Sequence, residues 1–218
     1  TAVPSTATTG IPFRTYTEEV YQTSRTMVPE QYAVAYFWAC DPAAIVQPGI
    51  SRIPPTGRWI NIAGIVCEQQ KLAFIPALKA HTILALATHD AVIASWEDKY
   101  RTRRVRPQTA VNQMLDAGWQ PVLAAPATPA GLSLQGVVSA AAAEILSSLI
   151  GENVSLADNS ETVFGVPMRQ YPSIRHAAEE AAWSRLFAGL QFRDGILMGQ
   201  QTGKNIGQLA LRKWPAGM

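Results

Sequence analysis

From Ala77 to Lys99 the chain runs through a long, helix-forming and nearly all apolar segment, and this stretch narrows the folds open to it. A helix that is apolar on most of its sides needs cover on most of its sides. Either a helical bundle or a lipid bilayer could supply that cover. Lys79, His81, His89 and Asp90 interrupt the run, so no uninterrupted apolar stretch is long enough to span a membrane. The segment therefore reads as a largely buried, central helix of a bundle. Strand-like alternation is absent elsewhere, and the expected fold class is all-α, a helical bundle.

The other elements follow from their punctuation. Residues 1–12 read as an irregular arm, followed by a short helix over Thr17–Thr26. Residues 1–24 are thus an N-terminal arm with a short helix, and residues 25–218 form the helical domain. Pro29-Glu30 opens a helix to Cys40, because proline and an acid suit a first turn, and Asp41-Pro42 ends it. Ile45–Gly57, with Pro48, Gly49, Pro54, Pro55 and Gly57, reads as loop. Arg58–Phe74 is helical and broken at Pro76, and Thr109–Asp116 is short and closed by Gly118. Pro121–Gly131 is a connector before a helix over Leu132–Ile150, whose run Ser139–Ala143 permits close helix approach. Gly151–Pro172 reads as irregular. Ser173 caps a helix reaching Leu190, and Asp194 opens a last one to about Lys213.

Hydrophobic residues make up 48% of the 218 and charged residues only 16%, which implies that extra surface is buried against another subunit. The expected assembly is a homo-oligomer or a complex with a partner chain. A net charge of +2 is too small for a general nucleic-acid binder. Cys40 and Cys67 lie in apolar, helix-like contexts without Cys-x-x-Cys spacing and read as buried free thiols. The three histidines, His81, His89 and His176, show no convergent ligand spacing, so no metal site is expected. His89-Asp90 reads as a buried, hydrogen-bonded pair, with a site-facing role as the alternative. Thr1 opens the sequence without a methionine, as a processed or excised chain would, and no leader-type segment is read there. The compartment stays open.

Three helix ends carry candidate chemistry. In Lys99-Tyr-Arg-Thr-Arg-Arg-Val-Arg-Pro107, Lys99 and Arg106 stand about two helical turns apart. A helix running through would place both cations on one face, convergent on an oxyanion, with Pro107 stopping it. The same run also fits a basic helix end that complements the macrodipole. Ser133 begins the Ala-rich helix, where free backbone amides make an oxyanion seat; it also fits an ordinary N-cap. Arg185, in Ser184-Arg185-Leu-Phe-Ala-Gly189-Leu-Gln191, offers a two-pronged donor for an oxyanion. It also fits a surface partner for Glu179 or Glu180. Gly189 offers a helix ending that swings Gln191 round.

Taken in order, these residues resemble the superfamily of vanadium-dependent haloperoxidases and type 2 phosphatidic acid phosphatases, whose motifs are Lys-x6-Arg-Pro, Pro-Ser-Gly-His and Ser-Arg-x5-His. The first is complete at Lys99, Arg106 and Pro107, and the third begins intact at Ser184-Arg185. Flanking segments are similar to the bacterial haloperoxidase branch. They include Glu30-Gln-Tyr-Ala-Val-Ala-Tyr-Phe-Trp38, Trp96-Glu-Asp-Lys-Tyr100, Ser139-Ala-Ala-Ala-Ala-Glu144, Phe164-Gly-Val-Pro167 and Ala177-Ala-Glu-Glu-Ala-Ala182. The resemblance covers roughly residues 25–210.

The departures bear on function. Where the resemblance leads one to expect Pro-Ser-Gly-His, the chain has Leu132-Ser133-Leu134-Gln135, and Gln191 stands where the third motif ends in histidine. In the family one histidine is the acid/base partner, and the other bonds vanadium or becomes the phosphorylated nucleophile. Glutamine can replace imidazole in neither role, because it does not titrate near neutrality. The resemblance therefore implies an oxyanion cradle without covalent chemistry. Lys99, Arg106, Ser133 and Arg185 bind the anion, and Gln135 and Gln191 act as hydrogen-bond donors at the catalytic positions. No cofactor is expected, and phosphate or sulfate fits the former vanadate site. Leu134, in place of glycine, narrows the cradle. Bacterial relatives carry a further helical half, so a partner chain supplying that half is one expected assembly.

Three functions compete on this reading. The first is a cofactor-independent enzyme for rearrangement or cyclisation of a small metabolite. The second is a non-catalytic partner subunit, and the third is residual phosphatase or haloperoxidase activity. The sequence does not name a substrate.

Overall fold

A computed structural model describes residues 12–40 and 53–214. Within them the order is α1 (Phe13–Arg25), α2 (Pro29–Phe37), α3 (Pro55–Gln69), α4 (Phe74–Thr102), α5 (Pro107–Met114), α6 (Leu134–Ile150), β1 (Leu156–Asp158), β2 (Arg169–Tyr171), α7 (Ile174–Phe187) and α8 (Arg193–Lys213). The fold is an all-α bundle, as expected. The one departure is the antiparallel ribbon of β1 and β2, with Leu156 opposite Tyr171. Three residues per strand are too few for an alternating pattern to show, so the stretch reads as irregular in sequence. No helix among the described residues is long and apolar enough to cross a membrane.

The centre belongs to α6, which is buried from Gln135 to Ser147 save Ala140 and packs against α3, α4, α7 and α8. Its small residues Ser139 and Ala141–Ala143 let these neighbours close in, as the sequence implied. The α8 face supplies the other half of that fit. Gly195, Gly199, Gly203 and Gly207 recur every four residues, on one side of the helix. A Cβ on Gly203 would stand 2.1 Å from the Val137 carbonyl oxygen, and one on Gly207 would stand 2.7 Å from the Glu144 Cβ. The two backbones therefore meet with no side chain between them.

The expectation that Ala77–Lys99 lies largely buried at the centre is not met. In α4 only one face is covered, by Ala80, Ile83, Leu84, Ala87, Thr88, Ala91, Ser95 and Lys99. The opposite face exposes Phe74 (76%), Ile75 (64%), Leu78, Leu86, Ile93, Trp96 and Tyr100. His89 and Asp90 are exposed as well, so they are neither a buried pair nor a pair facing the site. The covered face carries mostly alanine, threonine and serine, and the large apolar side chains crowd the exposed one. The all-round central position goes to the small-residue helix instead.

Prolines account for the shifted boundaries. Pro76 lies in the first turn of α4 and Pro55 opens α3, where a missing N–H leaves no intrahelical bond unmade. The expected break at Pro76 is thus a helix start, and the expected loop ends before Pro55 rather than at Gly57. Residues 41–52, which include Asp41-Pro42 and most of that loop, lie outside the described residues, as do residues 1–11 of the arm. The first helix begins earlier than Thr17, because Phe13 and Tyr16 are themselves core. With Val20 they pack on Ala110 and Val111 of α5 and on Trp119, Phe192 and Ile196. The larger core joins Trp38, Trp59, Ile83, Leu84, Val137 and Ile145, and the Trp59 indole N–H donates to Ser139 Oγ at 2.9 Å.

Candidate functional site

Lys99 sits in the last turn of α4, on its buried face, 4% exposed. The helix stops at Thr102 because Arg103 takes the left-handed conformation, φ 48°. The expectation of one helix carrying both Lys99 and Arg106 is therefore corrected. Arg106 is the residue before α5, and Pro107 opens that helix rather than ending the previous one. The two cations still meet, because the reversal at Arg103 brings the chain back. Arg104 turns inward to Asp194 at 2.7 Å, against the Phe192 ring.

The Pro121–Gly131 connector holds both cations. The Lys99 ammonium donates to the carbonyls of Pro129, at 3.4 Å, and Ala130. Arg106 Nε donates to the Thr128 carbonyl at 2.5 Å, Nη2 to Thr128 Oγ1 at 2.7 Å and Nη1 to the Leu190 carbonyl at 3.1 Å. Gly131 makes this crossing possible. Its φ is +48°, and a Cβ there would lie 2.9 Å from Lys99 Cα and 2.8 Å from Asp98 Oδ2.

Ser133 caps α6, its hydroxyl accepting from the Gly136 amide at 3.2 Å, so the capping role and the place in the cavity coexist. Gln135 is 3% exposed, and its Nε2 has no hydrogen-bond partner among the described residues. Arg185 lies in the last turn of α7 and is 9% exposed. Its Nη2 donates to the Trp38 carbonyl at 3.1 Å and its Nε contacts Ser184 Oγ at 3.2 Å. The alternative of a surface pair with Glu180 does not hold. That carboxylate accepts from Trp38 Nε1 at 3.0 Å, Tyr171 OH at 2.6 Å and Arg169 at 2.7 Å.

Gly189, φ +74°, ends α7 as expected and turns the chain so that the amides of Leu190 and Gln191 both donate to the Arg185 carbonyl. Gln191 then reaches the connector. Its Nε2 donates to the carbonyls of Gly131 at 2.9 Å and Ala130 at 3.2 Å. Its Oε1 has no partner among the described residues. Gly195 lets α8 approach this amide, since a Cβ there would be 3.3 Å from Gln191 Cδ.

Lys99, Arg106, Ser133, Gln135, Arg185 and Gln191 line one cavity of about 370 Å³. Trp96, Leu134, Leu190, Pro54 and Pro126 give it apolar walls. No carboxylate lines it among the described residues. The carboxylates able to plug it are engaged or turned away. Asp194 pairs with Arg104, Asp98 accepts from the Leu132 amide at 2.8 Å and from Arg101, and Glu97 is exposed. Burial pulls the Lys99 amine down to about 7; the Arg106 cation pushes the same way, against Asp98. Chemically, the cavity combines two guanidinium cations, a lysine that titrates near neutrality, a capped helix start and two buried amides. Such a site can orient an oxyanion and stabilise negative charge. No histidine lines it, and no cluster of His, Cys, Asp and Glu able to hold a metal ion occurs among the described residues.

Sequence reasoning missed the buried support behind this wall. Arg58 is fully buried, pairs with Asp158 at 3.0 Å and donates to the Phe37 carbonyl. Its guanidinium lies 4.0 Å from the Trp38 ring centroid and 4.2 Å from that of Phe37. It thereby fixes the chain turn whose Trp38 carbonyl receives Arg185. Cys40, in the cavity wall, lies 3.8 Å from Arg58, and its burial pushes the thiol up. An arginine at the start of a helix gives no sign that its partner lies 100 residues away.

Residues 79–216 match the family model described as the VCPO second helical-bundle domain. No curated protein matches the chain significantly. Among solved structures, a bacterial vanadium-dependent iodoperoxidase is similar at TM-score 0.87 and 33% identity, over 98% of this chain and 52% of that one. The holo and apo forms of a bacterial vanadium-dependent chloroperoxidase are similar at TM-scores 0.70 and 0.71 and 15% identity, over 91% of this chain and 47% and 48% of theirs. The chain spans about half the length of each of these three structures.

Proposed function

Because the chain belongs to the VCPO second helical-bundle domain family, within the vanadium-dependent haloperoxidase superfamily, we propose that it keeps that scaffold's oxyanion cavity and uses it without vanadate. The reaction class is cofactor-independent rearrangement or cyclisation of a small metabolite that carries an oxyanion on an apolar body. The observation that carries this reading is the presence of Gln135 and Gln191 in one cavity with Lys99, Arg106, Ser133 and Arg185. The cationic groups suit the outer oxygens of vanadate or phosphate. The amides do not suit its central atom. The Gln191 nitrogen has a delocalised lone pair and spends both its hydrogens on backbone carbonyls, so it offers nothing to form a bond. Lys99, Arg106 and Arg185 would bind and orient the anionic group beside Gln135, which lines the same cavity. The apolar walls would seat the body of the substrate and exclude water, which strengthens each of these interactions.

The test is to incubate the protein with vanadate, desalt it, and assay peroxide-dependent bromide oxidation and phosphomonoester hydrolysis. The proposal expects neither activity above background. Turnover of either kind overturns it.

The exposed face of α4 favours a role in an assembly as well. Phe74, Ile75, Leu78, Leu86, Ile93, Trp96 and Tyr100 form one long apolar strip, more than a lone soluble domain ordinarily leaves in water. We propose that a second copy, or a chain supplying the helical half present in the longer relatives, covers it. Sedimentation at micromolar concentration is expected to give a dimer or larger species for the chain alone, or a complex with that half. A clean monomer that ignores such a partner contradicts this.

A further inference from the structure

Lys99 differs from the other lysines of the chain in its surroundings. Lys71, Lys204 and Lys213 are exposed and Lys79 is half-buried, whereas Lys99 is 4% exposed and lines the cavity. Its nitrogen donates to the carbonyls of Pro129, at 3.4 Å, and Ala130. Neither of those residues lines the cavity, and Pro129 lines instead a second groove, with Tyr100, Arg103 and Val105. Seen from the cavity, the two carbonyls therefore stand behind Lys99. A neutral amine has two hydrogens and one lone pair. With both hydrogens held by carbonyls behind it, the lone pair points forward, into the cavity. Burial, joined by the Arg106 cation, holds this amine down to about 7 against the pull of Asp98. Much of it is neutral near pH 7, where an ordinary lysine is almost all ammonium. A desolvated lysine beside another cation is an activated nucleophile. The apolar walls at Trp96, Leu134 and Leu190 keep water from competing with a carbonyl there.

We propose that Lys99 is a nucleophile that forms an imine with an aldehyde or ketone, and that the substrate of this cavity carries a carbonyl group beside its acidic one. This rests on the oxyanion-cavity reading above and names the substrate class for it, with Arg106 and Arg185 taking the acidic group. The Lys99 lone pair attacks the carbonyl carbon, and the carbonyl oxygen takes up the proton that the amine gave up. The carbinolamine then loses water. Overall, one ammonium and one carbonyl give one protonated imine and one water. The protonated imine keeps a single hydrogen on nitrogen, and the Ala130 carbonyl is in place to accept it. Its positive charge draws electrons from the bonds at the adjacent carbon, which is the activation that a rearrangement without a cofactor needs. Addition of one water restores the carbonyl and Lys99.

The experiment is reductive trapping at pH 7. The protein is incubated with 4-carboxybenzaldehyde, which joins a carbonyl and a carboxylate on an apolar body, and with cyanoborohydride, which reduces an imine to a stable secondary amine. Intact mass counts the adducts and peptide mapping places them. Calorimetry measures in parallel the binding of 4-(hydroxymethyl)benzoate, which has the same acid and no carbonyl. Lys99 is expected to be labelled at least about tenfold faster than Lys71, Lys79, Lys204 or Lys213, and an excess of 4-(hydroxymethyl)benzoate is expected to suppress this labelling. Lys99→Arg keeps a cation at the position and is expected to lose the fast adduct. Should that variant fail to fold, the peptide map of the unaltered protein decides. Lys99 labelled no faster than the other lysines overturns the inference; if 4-(hydroxymethyl)benzoate still binds, the oxyanion cavity stands. Fast Lys99 labelling that the excess acid does not suppress overturns the substrate class. Absence of both Lys99 labelling and acid binding overturns the cavity reading, and this inference with it.

Discussion

Replacing Gly203 with alanine sets two ordinary effects against each other, and the structure says which wins. In a helix interior, alanine is favoured over glycine by about 1 kcal/mol. At Gly203 the added Cβ would stand 2.1 Å from the Val137 carbonyl oxygen and 2.9 Å from Ala140 Cβ. Real contacts of this kind stay beyond 3.0 Å, so α8 must back away from α6 by about 1 Å. The obstacle is backbone, and no rotamer change relieves it. Overpacking of this sort costs about 1–3 kcal/mol, and the upper end applies where the struck atom cannot move. The net expectation is a loss of about 2 kcal/mol, or a fall of about 4–8 °C in Tm for a chain of this size. Gly64, in α3, is the control. A Cβ there meets only His81 Nε2, at 3.9 Å, so Gly64→Ala is expected to stabilise the protein by up to about 1 kcal/mol. Urea unfolding followed by far-ultraviolet circular dichroism reads both. A Gly203→Ala protein as stable as the parent refutes the close-packing argument.

Other expectations follow from the buried charges. Arg58→Ala leaves Asp158 buried without its partner and is expected to cost about 3–5 kcal/mol, measured by the same unfolding assay; a change below about 1 kcal/mol contradicts the supporting role given to this pair. Lys99 ionises near 7 when folded, against an ordinary 10.5. Between those values the unfolded chain binds more protons, so the burden this group places on stability is full below pH 7 and lifts as pH rises toward 10.5. Denaturation series from pH 7 to 9.5 should therefore show a rising contribution in the parent that Lys99→Met lacks; parallel curves would contradict it.

The sequence made the site more legible than the scaffold's centre. Lys99, Arg106, Ser133 and Arg185 each fitted an ordinary helix-end role as well, and the family resemblance singled them out; the structure brings the four to one cavity. Spacing alone misled about how they meet, since Arg103 ends α4 and the chain returns through a loop. What fixes the side chains was not readable. The carbonyls of Thr128, Ala130 and Gly131 belong to a connector whose path depends on Gly131 crossing Lys99. The opposite error came with α4. Its composition signals burial, but burial on all sides also requires small residues, and α6 has them. The glycines of α8 were visible at four-residue spacing, but their meaning appears only when α6 lies against them. Arg58 and Asp158 carry no local mark of their pairing.

Titration of inorganic phosphate into the parent protein, Arg106→Ala and Arg185→Ala, with intact mass recorded after each titration, tests the central claim most directly. The account predicts saturable binding in the parent, a loss of about tenfold or more in each variant, and no covalent phosphate on any of them. Absent binding, affinities untouched by both substitutions, or a phosphorylated protein would contradict it.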